Sequence, residues 1–159
     1  MDFGWALHAL ILPMSKVVSK NCLNLAAVCE YIKSRARILI IDDNAQLREM
    51  LKLMLVQAGH EVQEAGDGET GVRLYKEKPA DLVIIDILMP EKGGLETIVE
   101  LKRDFPNAKL IGISGGFQKK SDENKTLAEL LGVERTLSKP FASEELLKAV
   151  REICEPSAN

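Results

Sequence analysis

The sequence predicts an α/β fold, one parallel sheet with helices packed on both faces. Three observations carry this. Between Arg37 and Cys154, five short runs rich in Val, Ile and Leu alternate with five stretches whose apolar residues recur at helical spacing. The run Leu82-Val83-Ile84-Ile85-Asp86 is apolar until its last position, as expected of a strand buried on both faces. Helix competes for so short a run, but its β-branched content and the flanking Pro79 and Pro90 favour strand. Capping and turn residues also fall at the joints between elements.

Taken in order, Ile38 to Ile41 reads as the first strand and runs into Asp42-Asp43. Asn44 is an N-cap, and Leu47, Met50, Leu51, Met54, Leu55 and Ala58 follow at helical spacing, with Gly59 closing the helix. Glu61 to Ala65 alternates and is expected at a sheet edge. Asp67-Gly68 opens a helix to about Lys78. After the strand Leu82 to Asp86, Gly93-Gly94 leads into a helix carrying Leu95, Ile98, Val99 and Leu101. Ala108 to Ile113 is the fourth strand, followed by Ser114-Gly115-Gly116 and a polar loop, Phe117 to Asn124. The next helix carries Leu127, Leu130 and Leu131 and ends at Gly132. Val133 to Leu137 is the fifth strand, followed by Ser138-Lys139-Pro140. The last helix is expected to be capped by Ser143, to hold Glu144 and Glu145 in its first turn, and to bury Leu146, Leu147, Val150 and Ile153.

The chain of 159 residues fits one domain with a substantial core. It is 46% hydrophobic and 28% charged, with a net charge of −3. That balance, without a Lys/Arg block, gives no electrostatic case for nucleic-acid binding. Cys22, Cys29 and Cys154 are too few and too scattered for a disulfide framework or a zinc site and read as reduced thiols. His8 and His60 lie far apart and outside ligand-like spacing.

Residues 1–36 have a different character and are read as an extension to the domain at 37–154, with 155–159 as a tail. The apolar run Phe3 to Met14 is short of the roughly 20 residues that span a bilayer. It follows Asp2 rather than a basic segment, so no signal peptide or membrane span is expected. A loosely attached extension is the leading reading. A docking helix over Leu23 to Ile32 is second, and targeting use third.

Parallel strands bring all their C-terminal ends to one sheet edge, where open α/β sheets bind ligands. Asp42, Asp43, Asp86, Ser114 and Lys139 all fall there. Taken singly, Asp42-Asp43 would more often cap a helix, Ser-Gly-Gly would be a turn and Lys-Pro a surface loop. Their joint placement favours a site. Three carboxylates repel one another unless a cation holds them, and a hard divalent ion such as Mg²⁺ suits such oxygen ligands. The Lys139 ammonium and Ser114 hydroxyl complete what a transferring phosphoryl group needs, charge neutralisation and positioning.

In these motifs the chain resembles the receiver domain of two-component response regulators, in its stand-alone, chemotaxis-regulator-like form. The matching pieces are Ile41-Asp42-Asp43, Asp86-Ile87-Leu88-Met89-Pro90 followed by Gly93-Gly94, Ser114, and Lys139-Pro140-Phe141. The resemblance implies a flavodoxin-like, doubly wound five-stranded sheet of order 2-1-3-4-5 with five helices. It implies that Asp86 accepts a phosphoryl group from a histidine kinase or phosphotransfer protein. Mg²⁺ would be held by Asp43, Asp86 and the Leu88 carbonyl, with Asp42 acting partly through water. Lys139 would contact the phosphoryl oxygens, Ser114 would swing towards them, and the Lys139-Pro140 bond would be cis. Ser114, Gly115, Thr136 and Pro140 then belong to the switch region.

Two departures set this copy apart. Thr136 stands where many receivers carry Tyr or Phe, so output is expected to depend on the mobile Gly115-Gly116 loop and the helix after it. Leu88 and Gly116, at positions that tune dephosphorylation in the family, offer no side-chain hydrogen bond to an attacking water, which implies slow autodephosphorylation. Nothing after Cys154 is long enough for an output domain, so a cytoplasmic protein is expected that docks a partner or relays its phosphoryl group. The docking face would include Lys119, Lys120, Lys125, Glu129, Glu134 and Arg135. The chief alternative is a Mg²⁺-dependent phosphohydrolase with an aspartyl nucleophile, as in haloacid-dehalogenase-type enzymes. Those place a second Asp as general acid two residues on, where Leu88 stands here. A receiver-like scaffold that is never phosphorylated is the third reading.

Overall fold

The computed structural model of the chain describes residues 35–89, 93–115 and 126–154. The expectations placed on residues 1–34, Pro90, Gly116, the loop Phe117 to Asn124, Lys125 and the tail from 155 lie outside the described residues.

Five strands form one parallel sheet of order β2-β1-β3-β4-β5: β1 (Arg37–Ile41), β2 (Glu61–Ala65), β3 (Leu82–Asp86), β4 (Leu110–Gly115) and β5 (Arg135–Lys139). The connecting helices are α1 (Ala45–Gln57), α2 (Gly68–Glu77), α3 (Gly94–Asp104), α4, described over 126–130, and α5 (Ser143–Cys154). No helix among the described residues is long and apolar enough to cross a membrane.

Strand periodicity divides the core in two. Leu39, Ile41, Val83 and Ile85 meet Val72 and Tyr75 of α2, Ile98 and Leu101 of α3 and Ala128 of α4. Ile38, Ile40, Ile84, Ile111 and Leu137 point the other way, onto Leu51 and Leu55 of α1 and Leu146, Ala149 and Val150 of α5. All five residues of β3 are buried, so this central strand anchors both layers. Truncating Ile84 to Ala there is expected to cost about 2–5 kcal/mol.

The ends of α1 follow the reading of its caps. Asn44 Oδ1 accepts from the amides of Gln46 and Leu47 at 3.0 and 3.1 Å, and Gly59 takes φ +95°, a left-handed conformation that favours glycine. Asp67 caps α2 in the same manner through Thr70 N–H.

Two expectations, the ends of β4 and β5 and the capping of α5, need correcting. Strands β4 and β5 each start and end two residues later than expected, because Ser114 pairs with Ser138 and Gly115 with Lys139 in the parallel ladder. The Val133 amide instead donates to Ala128 O and closes the turn after α4. On α4 the buried residue is Ala128, whereas Leu127 and Leu130 are exposed. Ser143 is the first residue of α5, and its hydroxyl lies 3.2 Å from a Glu144 carboxylate oxygen.

Candidate functional site

The carboxyl edge of the sheet gathers the acidic residues from two adjacent strands. Asp42 directly follows β1, Asp43 begins the turn into α1, and Asp86 ends β3. One carboxylate oxygen from each lies within 4.8 Å of the others. Asp42 and Asp86 are buried, 1% and 6% exposed, while Asp43 is open to solvent. Burying two carboxylates side by side is costly unless each has partners, and each does.

Lys139, the last residue of β5, reaches back over β4 and bridges the pair. Its Nζ lies 2.6 Å from Asp86 Oδ2 and 3.0 Å from Asp42 Oδ2. The remaining oxygens take main-chain donors. Asn44 N–H donates to Asp42 Oδ1 at 2.8 Å, and Leu88 N–H donates to Asp86 Oδ1 at 2.9 Å. The bond from Leu88 folds the chain after β3 back on itself, which keeps the Leu88 main chain beside the Asp86 carboxylate. Burial pushes the Asp42 carboxyl above its ordinary range, with the Asp86 charge adding to the rise, while Asn44 N–H and Lys139 oppose it. For Lys139, burial works to lower the ammonium, but its bonds to Asp86 and Asp42 outweigh this and hold it above the ordinary lysine value.

Ser114 is 1% exposed, next to last in β4, and Gly115 follows it beside Lys139. A Cβ built on Gly115 would stand 3.5 Å from Lys139 Cδ. The Lys139-Pro140 peptide bond is cis. Thr136 shares β5 with Lys139 but lies lower in the ladder, opposite Gly112, and its hydroxyl donates to Glu129 Oε1 of α4 at 3.0 Å. The position thus carries a polar link between β5 and α4 in place of an aromatic ring. Leu88 is 41% exposed beside Asp86.

Two residues beyond the expected site set also shape this edge. Gly94 starts α3 so close to the end of β3 that a Cβ there would overlap the Asp86 carbonyl oxygen. Arg48, one turn into α1, donates from Nη1 to the Asp42 carbonyl at 2.7 Å. A glycine at a helix start is a faint signal for the close approach at Gly94. Nothing in the sequence distinguishes Arg48 from an ordinary surface arginine on a helix.

The donor set is all oxygen, part buried and part open, with more carboxylates than the lysine can neutralise. It therefore fits a small hard dication such as Mg²⁺, which keeps water ligands and takes carboxylates directly.

Comparison with known proteins agrees with this geometry. Residues 38–151 match the response regulator receiver domain. The chain is 37% identical over 118 residues to the chemotaxis protein CheY of Thermotoga maritima, covering 74% of this chain and 96% of that protein. It is 38% identical over 115 residues to CheY of Bacillus subtilis, covering 72% and 93%. It spans about half the length of two transcriptional regulatory proteins that it also matches. The crystal structure of a response regulator receiver domain protein from Clostridium thermocellum superposes with a TM-score of 0.70 at 30% identity, over 75% of this chain and 94% of that one. The fold, the motifs in their order along the sheet edge and these matches together make the chain a member of the response regulator receiver domain family of two-component systems.

Proposed function

We propose that residues 37–154 act as a single-domain receiver, with 1–36 as an extension and 155–159 as a tail, and that Asp86 is the phosphoryl acceptor. The observation that carries this reading is the Lys139 ammonium bridging Asp86 and Asp42, with Asp43 close by. A structural ion pair needs one carboxylate per lysine. Here the surplus acid leaves room for a second cation, and the acid–cation set faces solvent through Asp43.

In the proposed reaction, a phosphohistidine of a sensor histidine kinase or a histidine phosphotransfer protein presents its phosphorus to an Asp86 carboxylate oxygen. The new O–P bond forms an acyl phosphate as the N–P bond breaks, and the imidazole leaves with the electron pair. Asp42, Asp43, Asp86 and the Leu88 carbonyl are the proposed Mg²⁺ ligands, with Asp42 partly through water. When bound, the ion neutralises charge on the phosphoryl oxygens. Lys139 gives up its bond to Asp86 Oδ2 and turns the same ammonium onto a phosphoryl oxygen. Ser114 donates its hydroxyl to another, drawing the end of β4 towards Asp86. Gly115, Thr136 and Pro140 flank that movement, and the Thr136–Glu129 bond ties it to α4.

The protein is not an enzyme in this reading. It assists its own phosphorylation and dephosphorylation, acts in the cytoplasm, and either changes its protein partner or passes the phosphoryl group on. Neither nucleic acid nor membrane is a proposed partner. The apolar, exposed Leu88 side chain gives an attacking water no hydrogen bond, which supports slow loss of the phosphoryl group. Incubation with acetyl phosphate and Mg²⁺ tests the reading. Stable labelling is expected. Continuous turnover would instead indicate a hydrolase, absence of reaction an inert scaffold, and a phospho-Asp86 half-life of seconds would refute slow loss.

A further inference from the structure

Arg48 is placed to do more than decorate α1. Its Nη1 donates to the Asp42 carbonyl at 2.7 Å, and its Nε lies 3.9 Å from Glu64 Oε1 on β2. The guanidinium also lies against Gly66, where an added Cβ would stand 3.5 Å from Nη1 and 3.8 Å from Cζ. With its side chain only 19% exposed, Arg48 spans from α1 over the top of β1 to the end of β2. The carbonyl it holds belongs to the peptide that joins Asp42 to Asp43. Asp42 is held from two other directions as well, by its own N–H donating to Ala65 O at 3.2 Å and by Asn44 N–H on its carboxylate. The exposed Asp43 side chain hangs from the peptide plane that Arg48 pins.

We propose that Arg48 is a positioning residue for the metal site: by fixing the Asp42–Asp43 peptide, it sets the direction from which the Asp43 carboxylate meets the cation. The proposal rests on the reading of Asp42, Asp43 and Asp86 as Mg²⁺ ligands. Electrostatics alone predicts the opposite sign, because a guanidinium near a dication repels it and its removal should tighten binding. Groups that orient ligands from outside the coordination shell typically account for about 10-fold or more in metal affinity. Positioning should therefore outweigh repulsion here, and the sign of the change decides between the two.

The test is calorimetric titration of the full chain with MgCl₂ alone, for wild type, Arg48→Met, Arg48→Lys, Lys52→Met and Asp43→Asn, with thermal unfolding as a check on the fold. Arg48→Met is expected to weaken Mg²⁺ binding about 10-fold. Its labelling by acetyl phosphate should recover at saturating Mg²⁺, since affinity rather than transfer is affected. Arg48→Lys keeps the charge but offers a point donor instead of a planar fork, so a loss of about threefold is expected. Lys52→Met removes the same charge one turn further along α1, where Lys52 pairs with Glu64 at 2.7 Å, and should stay within about twofold of wild type. Equal or tighter Mg²⁺ binding by Arg48→Met overturns the proposal. If Arg48→Met does not fold, wild-type affinity in Arg48→Lys overturns it. Failure of the wild type to bind Mg²⁺, or binding by Asp43→Asn as tight as wild type, overturns the metal site itself.

Discussion

Lys102 and Lys139 each bridge two oxygens, at opposite edges of one sheet. At the amino edge, Lys102 Nζ of α3 lies 2.6 Å from the Ala108 carbonyl and 3.3 Å from Glu134 Oε1. The other oxygen of Glu134 accepts the Leu110 amide at the start of β4. That set is balanced, one cation to one carboxylate plus neutral groups, and Glu134 is exposed to solvent. At the carboxyl edge Lys139 bridges two buried carboxylates, Asp42 and Asp86, with a third nearby. Both are lysine–oxygen bridges, and the bonds are of similar length. What differs is charge balance and burial. The amino edge is complete and fastens helix to strand. The carboxyl edge holds an acidic surplus in a place where charge is expensive, as expected of a site that recruits a cation and an anionic group.

Substitutions at the two edges should differ in their effects. The largest effect is expected from Asp86→Asn, which should abolish phosphorylation by acetyl phosphate while circular dichroism stays unchanged. Persistent labelling would move the acceptor elsewhere. Next is Lys139→Met, which leaves the buried Asp42 and Asp86 without their cation. Metal-free stability in urea should fall by about 3 kcal/mol and labelling by at least about 100-fold, whereas Mg²⁺ binding should tighten. Weaker Mg²⁺ binding would mean that Lys139 helps to build the metal site rather than competing for it. Mg²⁺ at a hundredfold excess over its Kd should stabilise the wild type by about 2.7 kcal/mol. No change in the unfolding midpoint would count against the site. Lys102→Met, at the balanced edge, should cost only about 1 kcal/mol and leave Mg²⁺ affinity and labelling untouched.

The smallest effect is in pH. Lys139 titrates above its ordinary value of 10.5 in the fold, so its contribution is complete below that pH and is lost as pH rises through the folded value. Asp42 is also raised, from 3.8, so in the interval between 3.8 and its higher folded value the metal-free fold holds a proton that the unfolded chain has released. Its contribution likewise falls as pH rises through that interval. Mg²⁺ must displace that proton, and its affinity should decline as pH is lowered into the same interval. Proton release measured on titration with Mg²⁺ checks this, and pH-independent affinity would argue against Asp42 as a participant.

The order of elements, the edge position of β2, the buried character of β3 and the gathering of Asp42, Asp43, Asp86, Ser114 and Lys139 at one edge were all legible in the chain. Each follows from local periodicity and from the rule that parallel strands share an edge. The ends of β4 and β5 were not. Where a strand stops depends on whether its neighbour still offers pairing partners, and Ser114 and Gly115 belong to β4 only because Ser138 and Lys139 lie opposite. The inward face of α4 is likewise set by packing. Leu127 and Leu130 have helical spacing, but the neighbouring Ala128 fits the space beside the sheet.

The sequence by itself determined on which edge Asp42, Asp43, Asp86, Ser114 and Lys139 meet, because strand polarity and residue type are local properties. Only the tertiary structure decided how they are held. The bridge from Lys139 crosses β4 to reach Asp86 and Asp42, the Thr136 hydroxyl finds Glu129 on another element, and Arg48 reaches from α1 to the Asp42 carbonyl and the end of β2. Such contacts join residues on different elements, and their geometry is set by packing of the sheet against its helices, which no window of sequence contains.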